Sequence, residues 1–226
     1  MTVLLQITWQ GIAAGLSFFI ICLVLLYLFL VRGNEDNLCN YNSRSTDKFP
    51  LNSADYSLFT DRLMRVHRKF KTILFAAARL NDLPVTIPCN TAIKLAESGK
   101  KCLLIDTDIK RDSVARAFGL DSYTTENSDH PKQYETPFEN LYVWPARNFT
   151  KISSADLAKI IQNASGEFDF ILINVPSIDN TAVRKQASVL SDAAFIFAAD
   201  SKNISTLSSA MKSSECKVIG NIIISR

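Results

Sequence analysis

The sequence predicts an α/β domain with a doubly wound, mostly parallel sheet, preceded by one N-terminal transmembrane helix. Three observations predict it. Residues 7–31 form an apolar run without a single charge. Further along, several short runs are apolar without interruption, which is how strands buried on both faces of a sheet read. Helix-like segments separate those runs, as parallel pairing requires, and right-handed crossovers then wind the domain. A length of 226 residues accommodates one span and one domain of ordinary size.

Composition narrows the class. A hydrophobic fraction of 47% with 21% charged residues excludes a mainly disordered chain. The net charge of +3 is mild and the basic residues are scattered, so nucleic acid is not an expected partner. Cys22, Cys39, Cys89, Cys102 and Cys216 are odd in number and widely spaced, and no C-x-x-C occurs. Free thiols in a reducing compartment are therefore expected, in place of a disulfide framework or a zinc site.

The run at residues 7–31 reads ITWQGIAAGLSFFIICLVLLYLFLV. About 20 residues at a rise of ~1.5 Å cross a hydrocarbon core, so the run spans it with some tilt. Trp9 and Tyr27 sit near its two ends, where amphipathic rings favour the interface. A secretory signal would carry a basic start, and residues 1–6 have no Lys or Arg. A buried core helix is seldom apolar on every face. After the run come Arg32, Arg44, Lys48, Arg62, Arg65, Arg68, Lys69 and Lys71, against no basic residue before it. That asymmetry places the C-terminal domain in the cytoplasm and leaves residues 1–6 as a short extracytoplasmic end. Asn-x-Ser/Thr triplets at Asn148, Asn163 and Asn203 then never meet a glycosylation enzyme.

Residues 32–54 are polar, lack periodicity and read as a linker. From residue 55 to 226 the domain follows. Leu58, Phe59, Leu63, Met64, Val66 and Phe70 recur at helical spacing among basic residues. Residues 72–78 read as a buried strand, 91–98 as a helix stopped by Gly99, and 101–106 as another strand. After an irregular stretch, 140–144 reads as a strand and 153–163 as a helix with Ser154 at its cap. Residues 168–174 form the most apolar strand candidate. A helix over 182–190, a strand over 193–199, a helix over 205–213 and a strand over 218–224 complete the set.

Three segments carry a resemblance: KLAESGKKCLLIDTDIKRDSVARAFGL from Lys94, FDFILINVPSIDNTAVRKQASVLSDAAFIFAAD from Phe168, and VIGNIIISR from Val218. In that order and spacing they resemble the cytoplasmic domain of the bacterial tyrosine kinases of polysaccharide export. Those kinases are deviant-Walker P-loop ATPases akin to MinD and ParA. The resemblance implies a P-loop NTPase-like fold, ATP and magnesium as cofactors, and the bacterial inner membrane as location, with the domain on its cytoplasmic side. It also implies polysaccharide co-polymerase or export proteins as partners, and homo- or hetero-oligomers.

The residues depart from what that chemistry needs. A P-loop holds phosphates with glycine amides at a helix N-terminus, a lysine cation and a Ser/Thr on magnesium. Where the family has PGEGKST, this chain has Leu80, Asn81, Asp82, Leu83, Pro84, Val85 and Thr86. Both glycines are gone and Pro84 stands at the lysine position; Thr86 alone keeps a ligand type. The resemblance places Asp106 and Asp108, followed by Lys110 and Arg111, at the second motif. It places Asn174 where the third motif has an acid for magnesium, and an amide is a weak substitute there. Thr86, Asp106, Asp108 and Asn174 are thus the vestigial nucleotide-site candidates, with no catalytic residue, no resident metal and no cofactor expected.

The family's Glu-x-x-Arg-x-x-Arg assembly motif would fall at Ala54, Ser57 and Thr60, and Arg62 and Arg65 have no glutamate in register. His67 and His130 are isolated and read as solvent-facing, and no Ser-His-Asp or G-x-S-x-G pattern occurs. The expectation is a non-catalytic, membrane-anchored scaffold or regulator of an exopolysaccharide or capsule assembly complex. The alternatives are a residual ATPase or tyrosine kinase with unconventional nucleotide binding, and a MinD- or ParA-like positioning factor. The basic segment 62–71 reads either as a solvated helix face or as a contact for anionic headgroups.

Overall fold

In a parallel strand covered on both faces, every side chain is removed from water. Thr72–Ala77 (β2), Cys102–Asp106 (β3), Phe170–Val175 (β6) and Ala193–Ala198 (β7) are buried at each position. The computed structural model describes residues 20, 21, 24, 46–50, 55–120, 133–147, 154–176, 187 and 189–225. Thr46–Pro50 (β1), Tyr134–Glu135 (β4), Leu141–Trp144 (β5) and Lys217–Ser225 (β8) complete an eight-stranded sheet. Its order is β1-β8-β7-β2-β6-β3-β5-β4, parallel throughout except for β4 against β5. The α/β, mostly parallel architecture is as expected.

The chain divides into residues Met1–Tyr41 and Asn42–Arg226. In the first unit Ile20, Ile21 and Val24 are helical and exposed. The rest of the expected span at 7–31 lies outside the described residues. Among the described residues, no helix is long and apolar enough to cross a membrane.

Within the second unit, alternation sorts the strand side chains between two cores. One holds Phe75, Leu104, Phe170, Phe195 and Phe197 beneath Ser57–Val66 (α1), Thr86–Glu97 (α2) and Ser113–Ala117 (α3). The other holds Leu74, Leu103, Ile171 and Ile196 beneath Ser154–Glu167 (α4) and Ser201–Lys212 (α5). Phe59 of α1 is fully buried and meets Phe195 edge-on at 5.3 Å, while Phe75 stacks on Phe197 at 6.0 Å. Each buried phenyl contributes about 1.5–3 kcal/mol by leaving water, and each such pair about 0.5–1.5 kcal/mol more. Arg62, on the same helix, donates to the Ile219 carbonyl at 3.4 Å.

Strand register is fastened at the N-terminal edge by two aspartates. Asp192, ahead of β7, accepts the Lys71 and Thr72 amides of neighbouring β2, each at 2.8 Å. Asp169, ahead of β6, accepts the Lys101 amide of neighbouring β3 at 2.9 Å. Gly99 stops α2 as expected, with φ +77° and its amide on the Ala96 carbonyl at 2.9 Å.

Several elements differ from the expectation. β1 lies inside the stretch read as linker, pairing parallel with β8 from Thr46↔Asn221 to Pro50↔Ser225. An edge strand is held by main-chain bonds on one side and needs no apolar alternation, so polar composition concealed it. Helix α2 begins at Thr86, ahead of the expected 91, because Pro88 sits in its first turn where a missing amide costs nothing. Helix α5 begins at Ser201, set by Asp200, whose carboxylate accepts the Asn203 amide at 2.8 Å. Ser154 is the first helical residue of α4. The expected helix over 182–190 falls largely outside the described residues, where Ala187 and Val189 are helical.

Gly220 explains itself by contact. A Cβ there would lie 2.4 Å from Cδ1 and 2.8 Å from Cε1 of the Phe195 ring. Gly220→Ala is expected to destabilise the domain by about 1–3 kcal/mol through overpacking. Adding Phe195→Leu is expected to recover part of that loss in a double-mutant cycle read by urea denaturation; full additivity would show that the two sites do not touch.

Candidate functional site

In an open parallel sheet, ligands bind outside the C-terminal ends of the strands where winding reverses. Here β6 inserts between β2 and β3, bringing three strand ends together. Asp106 is the register partner of Asn174, and Asn174 of Phe75. Alternation turns Asp106 and Asn174 to the face that carries α2 and α3. Three of the four sequence candidates are therefore clustered or close: Asp106, Asn174 and Asp108. Thr86 begins α2 and is exposed.

Asp106 is fully buried, and both its oxygens are engaged. Oδ1 accepts the Asp108 amide at 3.0 Å and the Asn174 Nδ2 at 2.9 Å; Oδ2 accepts the Val114 amide at 3.1 Å. The carboxylate thus joins two strands and caps the first turn of α3. Burial raises its pKa above the usual carboxylate range, and the three donors, Asp108, Val114 and Asn174, oppose that rise. Thr107 closes the cluster, donating its amide and hydroxyl to the Asn174 carbonyl at 3.1 and 2.7 Å.

Asp108 is committed as well. It is 7% exposed and ion-paired to the Arg111 guanidinium, with the Arg111 amide at 3.3 Å from its other oxygen. The Arg111 Nη2 continues to the Leu80 carbonyl at 3.5 Å, which links this loop to the segment aligned with the P-loop. The next residue, Asp112, adopts a left-handed conformation with φ +44°. Its carboxylate accepts the Ala146 amide at 3.2 Å and the Arg147 Nε at 2.7 Å, tying β5 to the same edge.

The P-loop segment folds as a packed turn. The Asp82 amide bonds to the Arg79 carbonyl at 2.9 Å, and Asp82 and Leu83 are buried. Leu83 is part of the core beneath α2, where the aligned glycine would leave space for a phosphate. Helix α2 has no side-chain cap.

Magnesium with a nucleotide is the group that this fold family implies, and the residues do not fit it. A hard cation needs several free oxygens, mostly anionic. Asp106 accepts from three N–H donors, Asp108 is paired to a cation, and Asn174 Oδ1, a buried acceptor beside them, is neutral. Among the described residues no group of three His, Cys, Asp or Glu is placed to hold a metal. Burial also raises the described thiols: Cys89, near Asp106, is pushed up to about 12 by burial and by that negative charge. Cys102 and Cys216 are buried free thiols, also raised to about 12 by burial. His67 holds the Met64 carbonyl at 2.9 Å, and His130 lies outside the described residues.

No protein-family model matches the chain. Curated proteins do. Over 147 residues the chain is 26% identical to tyrosine-protein kinase YwqD of Bacillus subtilis (strain 168), covering 59% of this chain and 62% of that protein. Over 173 residues it is 25% identical to the putative tyrosine-protein kinase CapB of Staphylococcus aureus, covering 69% and 75%. Its relatives are bacterial tyrosine-protein kinases. Solved structures extend this at the level of fold. The VpsO kinase domain matches with a TM-score of 0.63 at 14% identity, over 88% of this chain and 98% of that one. MinD of Pyrococcus horikoshii OT3 matches at 0.56 and 19% identity, over 68% and 69%. The fold is that of the MinD-like P-loop NTPases.

The Arg111 bridge was not legible as a pair, although the i,i+3 spacing of Asp108 and Arg111 carried a signal. The role of Asp112 had none, because its partners Ala146 and Arg147 come from the turn after β5.

The raised Asp106 pKa gives a pH dependence with a definite sign. The folded domain binds this proton more tightly than the unfolded chain, so stability falls as pH rises through the raised value. Thermal melts of Asp106→Asn should show that slope flattened, at a cost of about 1–3 kcal/mol from mismatched donors; an unchanged slope would place the effect elsewhere. Asn174→Asp would set a second buried carboxylate 2.9 Å from the first. It is expected to destabilise by about 2–4 kcal/mol at pH 8 and much less at pH 5, where the pair shares a proton. Equal loss at both pH values would count against this geometry.

Proposed function

We propose that this chain is a non-catalytic, membrane-anchored subunit of a bacterial exopolysaccharide or capsule assembly system. Residues 7–31 hold it in the inner membrane, and the α/β domain on the cytoplasmic side is a scaffold or regulator. Its partners are a polysaccharide co-polymerase or an export protein, and it works within a homo- or hetero-oligomer. The observation that carries this reading is the internal use of both aspartates. Each Asp106 oxygen already accepts an N–H donor and Asp108 is paired to Arg111, so a metal would have to displace or share those partners. Leu83 in the core and Pro84 at the cation position support it from the opposite side of the site. The relatedness to tyrosine-protein kinases supports the choice of pathway, and the eroded loop supports the loss of catalysis.

Isothermal titration of the full chain in detergent with ATP or ADP and magnesium tests the reading. Binding weaker than about 1 mM, above −4.1 kcal/mol on the affinity scale, is the expected outcome. Micromolar binding would sink it and bring forward a residual ATPase or tyrosine kinase. Crosslinking in a native membrane should then capture a polysaccharide-export component; capture of division or partition proteins alone would favour the positioning role.

A further inference from the structure

The parallel sheet collects the starts of β2, β7 and β8 at one edge, opposite the Asp106 cluster. The residues that precede those strands are unusually basic. Arg65 in the last turn of α1, Arg68, Lys69 and Lys71 ahead of β2, Lys212 at the end of α5 and Lys217 at the start of β8 converge there. Five of the six are exposed and Lys217 is half-buried. Among the described residues no ion pair ties any of them.

The acids nearby leave the balance positive. Asp192, with one oxygen on the Lys71 and Thr72 amides, and Glu215 are both exposed, two acids against six cations. Between the helix ends runs a groove of about 650 Å³, lined by Lys69, Val189, Asp192, Ser213, Ser214 and Glu215 among others. A second of about 510 Å³ adjoins it, sharing Lys69, Val189 and Asp192 and adding Arg68 and Lys71. Val189 is 71% exposed, an apolar side chain held out among cations. Basic side chains around hydroxyls and a protruding aliphatic group are the chemistry that recognises phospholipid headgroups.

We infer that this edge is a docking surface for an anionic phospholipid bilayer. The occupant follows from charge complementarity and from the chain itself. β1 runs parallel to β8, so the chain comes into the domain from this side. The apolar run ends at Val31 and β1 begins at Thr46. The residues between, fully extended at about 3.3–3.6 Å each, reach no further than about 50 Å. A tether of that reach raises the effective concentration of this edge at the bilayer, where attraction acts within a Debye length of about 10 Å. The inference rests on the membrane-anchored reading of residues 7–31 for its choice of lipid.

Amine acetylation of the full chain in nanodiscs, read by mass spectrometry, tests it. Lys69, Lys212 and Lys217 are expected to react at least about fivefold more slowly with phosphatidylglycerol present than in phosphatidylcholine alone, the factor one basic residue contributes at an anionic surface. Lys110 and Lys202, exposed at the opposite edge, should react equally in both. Raising salt to about 0.5 M should remove the difference. Equal rates at Lys69, Lys212 and Lys217 in the two lipids would overturn the inference, as would protection that persists in R65E/R68E. Alkaline carbonate separates the two possible failures. Release of the chain from vesicles sinks the anchor alone, and sedimentation with phosphatidylglycerol vesicles then decides the surface: binding supports it and no binding overturns it.

Discussion

A carboxylate removed from water has to find its donors inside the protein, and the arrangement of this domain's C-terminal edge follows from how Asp106 finds them. Its donors come from the β3 turn, from the first turn of α3 and from β6. Satisfying them fixes the path of the chain after β3. That path delivers Arg111 to Asp108 and Asp112 to Arg147. An unsatisfied acid in this position would cost several kcal/mol, so the cluster holds together as one unit.

The two edges of the sheet therefore serve different ends. At the C-terminal edge Asp106, Asp108 and Asp112 are matched within the protein, with Leu83 packed where a phosphate would lie. At the N-terminal edge two aspartates are spent on strand register, and six basic side chains reach outward without ion pairs among the described residues. Fold and function separate at this point, since one architecture accommodates either arrangement of charge.

Much of the fold was legible because buried parallel strands are apolar at every position. Residues 72–78, 101–106, 168–174 and 193–199 each coincide with a central strand to within two residues. β1 was not legible, because an edge strand is recognised by its neighbour's main chain and its composition of TDKFP carries no period. The starts of α2 and α5 were set by caps and turns several residues ahead of the apolar pattern. In the candidate site, the losses at Leu83, Pro84 and Asn174 were visible as residue types. Their consequence was not, since it depends on which atoms meet.

The sequence alone determined the alternation of strands and helices, the continuous apolar run at its start and the absence of a lysine and glycines from the phosphate loop. Those properties are local, written in hydrophobic period and residue chemistry. Only the tertiary structure decided that both Asp106 oxygens meet N–H donors, that Asp108 is paired to Arg111, and that basic residues distant in sequence share one edge. Each of those requires strands distant along the chain to lie side by side in fixed register. Distance in space, which no window of sequence contains, sets whether a charge is matched within the protein or left facing outward.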